Sequence, residues 1–97
     1  MDMGLEGKVA IITGGSDGIG KAAALSMAKE GANVVIVARR QEVLDQAVQE
    51  IQTATEGSVV PLALDITTEG ASQKMIKTAI DNFGQLDIIV NLSLIHI

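Results

Sequence analysis

Cysteine, tryptophan and tyrosine are absent from this 97-residue sequence, and Phe83 is its single residue among Phe, Trp and Tyr. Without cysteine there is no disulfide, no thiol nucleophile and no thiolate metal site. Without large aromatics, any core must be aliphatic and alanine-rich. Cations are scarce as well: seven Lys plus Arg stand against twelve Asp plus Glu, a net charge of −5. That balance argues against nucleic acid or an anionic membrane as a partner. Apolar runs reach about five residues, as in VVIVA over 34–38, where a membrane span needs roughly 18 or more. The opening MDMGLE has neither the basic start nor the apolar stretch of a secretory signal, so a cytoplasmic location is expected. What is present is a 47% hydrophobic composition with mean hydropathy +0.36, which describes one globular domain rather than a disordered chain. A domain this small buries only roughly 60–65% of its unfolded surface, so its stability is expected to be thin.

No repeat or low-complexity tract interrupts the chain. Strand and helix signals alternate instead. Residues 8–13 (KVAIIT) are short, β-branched and apolar, as in a buried strand. Residues 14–18 form a turn by composition. Residues 19–30 place Ala23, Ala24, Met27 and Ala28 at helical spacing, and Gly31 is a natural stop. The unit then recurs. Residues 33–38 (NVVIVA) read as a second strand. Residues 41–55 put Leu44, Ala47, Val48, Ile51 and Thr55 on one helical face, closed by Gly57. Residues 58–64 read as a third strand. They contain Pro61, the only proline, which cannot donate to a ladder and so belongs at a sheet edge. Residues 71–83 set Met75, Ile76, Ala79, Ile80 and Phe83 on one face, ended by Gly84, and residues 86–90 (LDIIV) read as a fourth strand. Strands apolar on both faces alternating with amphipathic helices predict an α/β fold, a parallel sheet covered on both sides. Right-handed crossovers leave the doubly wound, Rossmann-type order 3-2-1-4, which puts the Pro61 strand at an edge.

Between the first strand and the first helix stands TGGSDGIG, residues 13–20. Glycines let a backbone approach a pyrophosphate closely, and a helix N-terminus adds partial positive charge. Gly18, Gly20 and Ala23 satisfy G-x-G-x-x-A, and Gly20 with Ala23 lets the helix pack closely on the strand. The pattern is weak alone and strong between a strand and a helix. A rival is the phosphate loop G-x-x-x-x-G-K-[ST], nearly spelled by residues 15–22. It needs a hydroxyl after the lysine for Mg²⁺, and Ala22 has none.

The end of the second strand discriminates between dinucleotides. A carboxylate there would bind a ribose 2′-hydroxyl, but the sequence reads Ala38-Arg39-Arg40. A guanidinium suits a 2′-phosphate through charge-assisted bonds. One such bond is worth roughly 1.5–3 kcal/mol, about ten- to a hundredfold in preference for NADP over NAD. Arg39 is the stronger candidate and Arg40 the weaker; Asp17 in the turn opposes both slightly.

These features together make the sequence similar to the short-chain dehydrogenase/reductase family, and within it to the 3-oxoacyl-ACP reductase-like members. The resemblance runs over residues 5–91. GLEGKVA over 4–10 looks like the usual approach to the first strand, and residues 13–20 match TGxxxGIG. Asp65-Ile66 matches the acidic position after the third strand, and LDIIVN over 86–91 matches the opening of a motif that normally continues N-A-G. The resemblance implies that Gly14, Gly18, Ile19 and Gly20 line the pyrophosphate, with Ser16 near the adenosine phosphate end. It implies that Arg39, with Arg40 beside it, takes the 2′-phosphate, that Asp65 and Ile66 flank the adenine, and that Asn91 fixes the loop under the cofactor.

It also implies hydride transfer between NADP(H) and a carbonyl or alcohol carbon of a small-molecule substrate, with a tyrosine as general acid or base, a lysine four residues on, and a serine. This sequence has no tyrosine. The expectation is therefore an N-terminal cofactor-binding part, inactive alone, of a parent enzyme that is a homo-oligomer. The alternative is a non-catalytic dinucleotide-binding module or sensor. Residues 92–97, LSLIHI, resemble no family element and equal one reading frame of CTGTCTCTTATACACATC, a transposon end used in sequencing-library preparation. The expected division is a dinucleotide-binding part over 1–91 and a non-native tail over 92–97. His96, the only histidine, falls in that tail without a second His or Cys to share a metal, so no metal site is assigned. A fourth strand left without its neighbour is expected to expose Ile88, Ile89 and Val90 and to favour aggregation.

Overall fold

The computed structural model describes residues 4–14, 18–55 and 58–91. Four strands, β1 (Val9–Thr13), β2 (Asn33–Ala38), β3 (Val59–Ala63) and β4 (Ile88–Asn91), alternate with three helices, α1 (Gly18–Lys29), α2 (Gln41–Ala54) and α3 (Ala71–Phe83). All pairings are parallel and the order is β3-β2-β1-β4, as the crossover argument requires. Pro61 sits in edge strand β3 opposite Ile36, where its missing N–H costs the sheet nothing.

Every residue of β1 is buried, as are Val34 to Val37 of β2. The absence of alternation follows from cover on both faces. Ile12, Val34 and Ile36 pack with Ala24, Ala28, Leu44, Ala47 and Ile51 on the α1/α2 face. Val9, Ile11, Val35 and Val37 pack with Ala79 on the α3 face. The alanines of α1 let that helix lie close to the strands beneath it.

Helix α1 ends as its glycine predicts. The Gly31 N–H donates to the Ala28 carbonyl (3.0 Å) and the Ala32 N–H to the Met27 carbonyl (3.1 Å), the paired bonds of a Schellman cap. Gly31 has φ +88°, and a Cβ there would lie 3.1 Å from Glu6 Cγ. The left-handed backbone favours glycine here, and any side chain would also oblige Glu6 to give way by a few tenths of an ångström.

Three expectations shift. Of Ile88, Ile89 and Val90, only Ile89 is exposed; Ile88 and Val90 are half-buried, Val90 against the α1/α2 face of the core. Strand β4 starts at Ile88 rather than at residue 86, because Asp87 replaces a ladder contact with its side chain. The Val9 N–H donates to Asp87 Oδ2 (2.8 Å), while the Asp87 N–H donates to the Val9 carbonyl (2.9 Å). On α3 the apolar face is only partly covered. Ala71 and Ala79 are buried and Met75 and Phe83 flank the core, but Ile76 and Ile80 are exposed. Helix α3 lies over β1 and β2, and Ile76 borders an open groove that Ile11 of β1 and Ile89 of β4 also line.

Candidate functional site at the carboxyl ends of the strands

A parallel sheet brings the carboxyl ends of all its strands to one edge, and ligands of such sheets bind where the strand order reverses. Here β1 sends α1 toward β2 on one side, while α3 returns the chain to β4 on the other. Of the residues expected to hold a dinucleotide, those described all lie at this edge or in the first turn of α1.

Gly14 leaves β1 with φ +76°, a conformation that glycine adopts freely. Its N–H donates to the Val37 carbonyl (2.8 Å), extending the β1–β2 ladder by one bond. The chain re-enters the described residues at Gly18, with Gly18, Ile19 and Gly20 forming the first turn of α1. No acidic side chain stands in that turn, so the partial positive charge of the helix N-terminus is not opposed from within it. Gly20 is buried, as close helix–strand packing demands. Ser16 lies outside the described residues, as does Asp17.

Arg39 and Arg40 follow β2 directly and are both exposed. They diverge in their partners. Arg39 Nη2 lies 3.4 Å from Asp65 Oδ2. Arg40 turns to the start of its own helix, with Nε and Nη2 each donating to Glu42 Oε1 at 3.2 Å. Beyond β3, Asp65 Oδ1 accepts bonds from the Thr67 N–H (2.9 Å) and hydroxyl (2.6 Å). These two bonds hold its carboxyl below the usual carboxylate range, and Arg39 pulls in the same direction.

Asn91 ends β4 opposite Thr13 in register, and the Thr13 hydroxyl donates to Asn91 Oδ1 at 2.8 Å. Thr13, Asn91, Ile66 and Thr67 share an open groove of about 440 Å³ with Met75 and Ile76 of α3. Ile66 and Asn91 are thereby brought to one cavity, and Arg39 and Asp65 to one ion pair. Arg40 joins neither. A second cleft, about 410 Å³, lies between the carboxyl ends of α1 and α2 and contains none of these residues. Among the described residues no group of three or more His, Asp or Glu side chains is placed to hold a metal, and no helix is long and apolar enough to cross a membrane.

Sequence reasoning assigned no role to Thr13 and Thr67 at this edge, nor to Asp87 at the opposite edge, where the strands begin. Thr13 fixes Asn91, Thr67 fixes Asp65, and Asp87 anchors β4 to β1. The Asp-x-Thr spacing of residues 65–67 is a turn signal in its own right. Nothing local in the sequence marks the other two.

A family model described as short chain dehydrogenase matches residues 8–93. The chain belongs to the short chain dehydrogenase family. A probable 2,4-dienoyl-CoA reductase of Bacillus subtilis is 42% identical over 87 residues, covering 90% of this chain and 34% of that protein. The L-sorbose reductase of Gluconobacter frateurii, solved with NADPH and L-sorbose, superposes with a TM-score of 0.89 at 41% identity, covering 96% of this chain and 35% of the other. An NAD⁺-bound xylitol dehydrogenase superposes with a TM-score of 0.81 at 27% identity, covering 88% and 32%. The chain therefore spans about a third of the length of these three proteins.

Proposed function

We propose that this chain forms the NADP(H)-binding part of an oxidoreductase that transfers hydride between the nicotinamide and a carbonyl or alcohol carbon. The observation that carries the cofactor preference is the exit from β2. It presents Ala38 and then an exposed Arg39, where recognition of a ribose 2′-hydroxyl calls for a carboxylate. The L-sorbose reductase solved with NADPH is more similar to this chain than the NAD⁺-bound xylitol dehydrogenase is, which supports the same choice.

The residues fit a dinucleotide. The first turn of α1 at Gly18, Ile19 and Gly20 gives a phosphate N–H groups and no opposing carboxylate within that turn; Gly14, whose own N–H is held by the Val37 carbonyl, is assigned to the same site for its left-handed backbone without a side chain. Ser16 is assigned the adenosine phosphate end. Arg39 binds the 2′-phosphate, with Arg40 a secondary ligand that must first leave Glu42. Asp65 and Ile66 flank the adenine. Asn91, oriented by Thr13, fixes the loop beneath the cofactor. When bound, the cofactor supplies or accepts the hydride. The chain's own residues bind and orient it, and with no tyrosine they do not supply the proton donor that the family uses. The proton donor and the substrate contacts are assigned to the remainder of a longer protein.

Titration of the chain with NADPH and with NADH, read by nucleotide fluorescence, tests this reading. NADPH is expected to bind about ten- to a hundredfold more tightly, and Arg39→Ala to remove most of that margin. Equal affinities in the unsubstituted chain would overturn the preference. Steady NADPH oxidation with a panel of ketones would overturn the assignment of the proton donor elsewhere.

A further inference from the structure

We propose that Asp65 sets the size of the 2′-phosphate preference by holding the Arg39 guanidinium whenever no phosphate is bound. This rests on the reading of Arg39 as the 2′-phosphate ligand and goes beyond it, since it gives Asp65 a second task besides flanking the adenine.

The arrangement follows from the ladder. Ala38 pairs with Ala63, and the Leu64 N–H donates to the Ala38 carbonyl at 2.8 Å. The residues leaving β2 and β3 therefore emerge side by side. The carboxylate is then oriented from one side only. Thr67 occupies Oδ1 through its N–H and its hydroxyl, and the Thr68 hydroxyl donates to the Asp65 carbonyl at 2.6 Å. That leaves Oδ2 directed at Arg39 Nη2, 3.4 Å away. The Arg39 side chain is 77% exposed and Asp65 34%, so the anchored carboxylate is the fixed partner and the guanidinium the movable one.

A 2′-phosphate must draw Arg39 away from Asp65 and bring its own negative charge up to the carboxylate. A cofactor without that phosphate leaves the pair intact and strands no guanidinium. Asp65 therefore opposes NADP and is indifferent to the 2′-position of NAD. It narrows the preference that Arg39 alone would give. Exposed pairs contribute little in water, so the effect is a modest factor rather than a switch.

The test uses 2′,5′-ADP and 5′-AMP, both of which carry the adenine. A change in adenine contact cancels in the ratio of their affinities, and the 2′-phosphate contribution remains. Asp65→Asn keeps an oxygen to accept from Thr67 and removes the charge. It is expected to raise the 2′,5′-ADP to 5′-AMP ratio about two- to fivefold. The same substitution in Arg39→Ala is expected to raise it by less, because the partner is gone. Asp65→Ser, which also retains a turn-forming oxygen without charge, must shift the ratio in the same direction, so the test does not hang on one variant folding. An unchanged or lowered ratio in either variant, or an equal rise in the Arg39→Ala background, overturns the proposal. Failure of Arg39→Ala alone to lower the ratio is a different result, and overturns the reading of Arg39 itself.

Discussion

On the face of the sheet that carries α1 and α2, Ile12, Val34 and Ile36 are fully buried beneath Ala24, Ala28, Leu44 and Ile51. On the face that carries α3, Ile76, Ile80 and Ile89 stand 42%, 45% and 57% exposed. The difference is one of connectivity. Crossovers from β1 to β2 and from β2 to β3 run in one direction across the sheet, and right-handedness puts both helices on one side. The crossover from β3 to β4 runs the other way, so α3 covers the opposite face alone. A further right-handed crossover outward from β4 would lay its helix beside α3, over these same isoleucines. Their exposure thus reflects how many helices each face has received, not a fault in the amphipathic pattern.

The strongest way to break this comparison is to cut into the complete face. Ile36→Ala removes a side chain at 0% exposure between two helices and is expected to cost about 2–5 kcal/mol. Total stability for a domain this size is on the order of 5–10 kcal/mol, so the urea midpoint should fall by a large fraction. Ile76→Ala, on the open face, should cost about 1 kcal/mol or less. Similar losses for the two would mean that the faces are equally covered in solution.

Next in size comes Gly31→Ala, which acts on the same complete face through the backbone. It forces a left-handed alanine and a contact 3.1 Å from Glu6 Cγ, and is expected to cost about 1–2 kcal/mol. Chemical denaturation measures it directly, and a neutral outcome would show that the α1 cap relaxes without loss.

Smaller still is the effect of the bond that ties β4 to the rest of the sheet. The Val9 N–H and then the Gln85 amide hold the Asp87 carboxyl below the usual carboxylate range. A group with a depressed folded pKa stabilises fully above its unfolded pKa, and that contribution disappears as pH falls through the folded value. The chain should therefore exceed Asp87→Asn in stability at neutral pH, with the gap closing below about pH 4. Asp65 and Glu42, depressed in the same direction, remain in both proteins and cancel in the difference. A gap that stays constant with pH would place the contribution of Asp87 in its shape rather than its charge.

The sheet order, the edge position of Pro61, the bounds of α3 and the stop at Gly31 were all legible in the sequence. Each rests on a local signal: hydrophobic period, a missing donor, or a glycine just past an apolar face. The glycine turn and the end of β2 pointed to Gly14, Gly18, Gly20 and Arg39, while Asp65 and Asn91 came only from the family resemblance; parallel strands deliver the carboxyl ends that carry them to one edge. Partners were not legible. Thr13 meets Asn91 from 78 positions away, and Arg39 meets Asp65 only because β2 and β3 are neighbours in space. Periodicity marks Ile76 and Ile80 as apolar but is silent on what lies beneath them. Arg40 reads as the weaker of the two arginine candidates, but nothing in that ranking names its partner, Glu42, two residues on.

The smallest expected effect on stability sharpens the comparison most. Ile89 lies on edge strand β4 in register with Ile11 and is already 57% exposed. Ile89→Lys removes little buried area, so folding stability should move by no more than about 0.5 kcal/mol. Association should change far more. An apolar edge strand with free ladder groups pairs readily with another copy, and a lysine on such an edge opposes that pairing by charge and hydration. Sedimentation of the two proteins at matched concentration should show a larger monomer fraction for the variant. If instead Ile89→Lys unfolds the chain as Ile36→Ala does, Ile89 is covered in solution, and the two faces of the sheet are more alike than their exposures indicate.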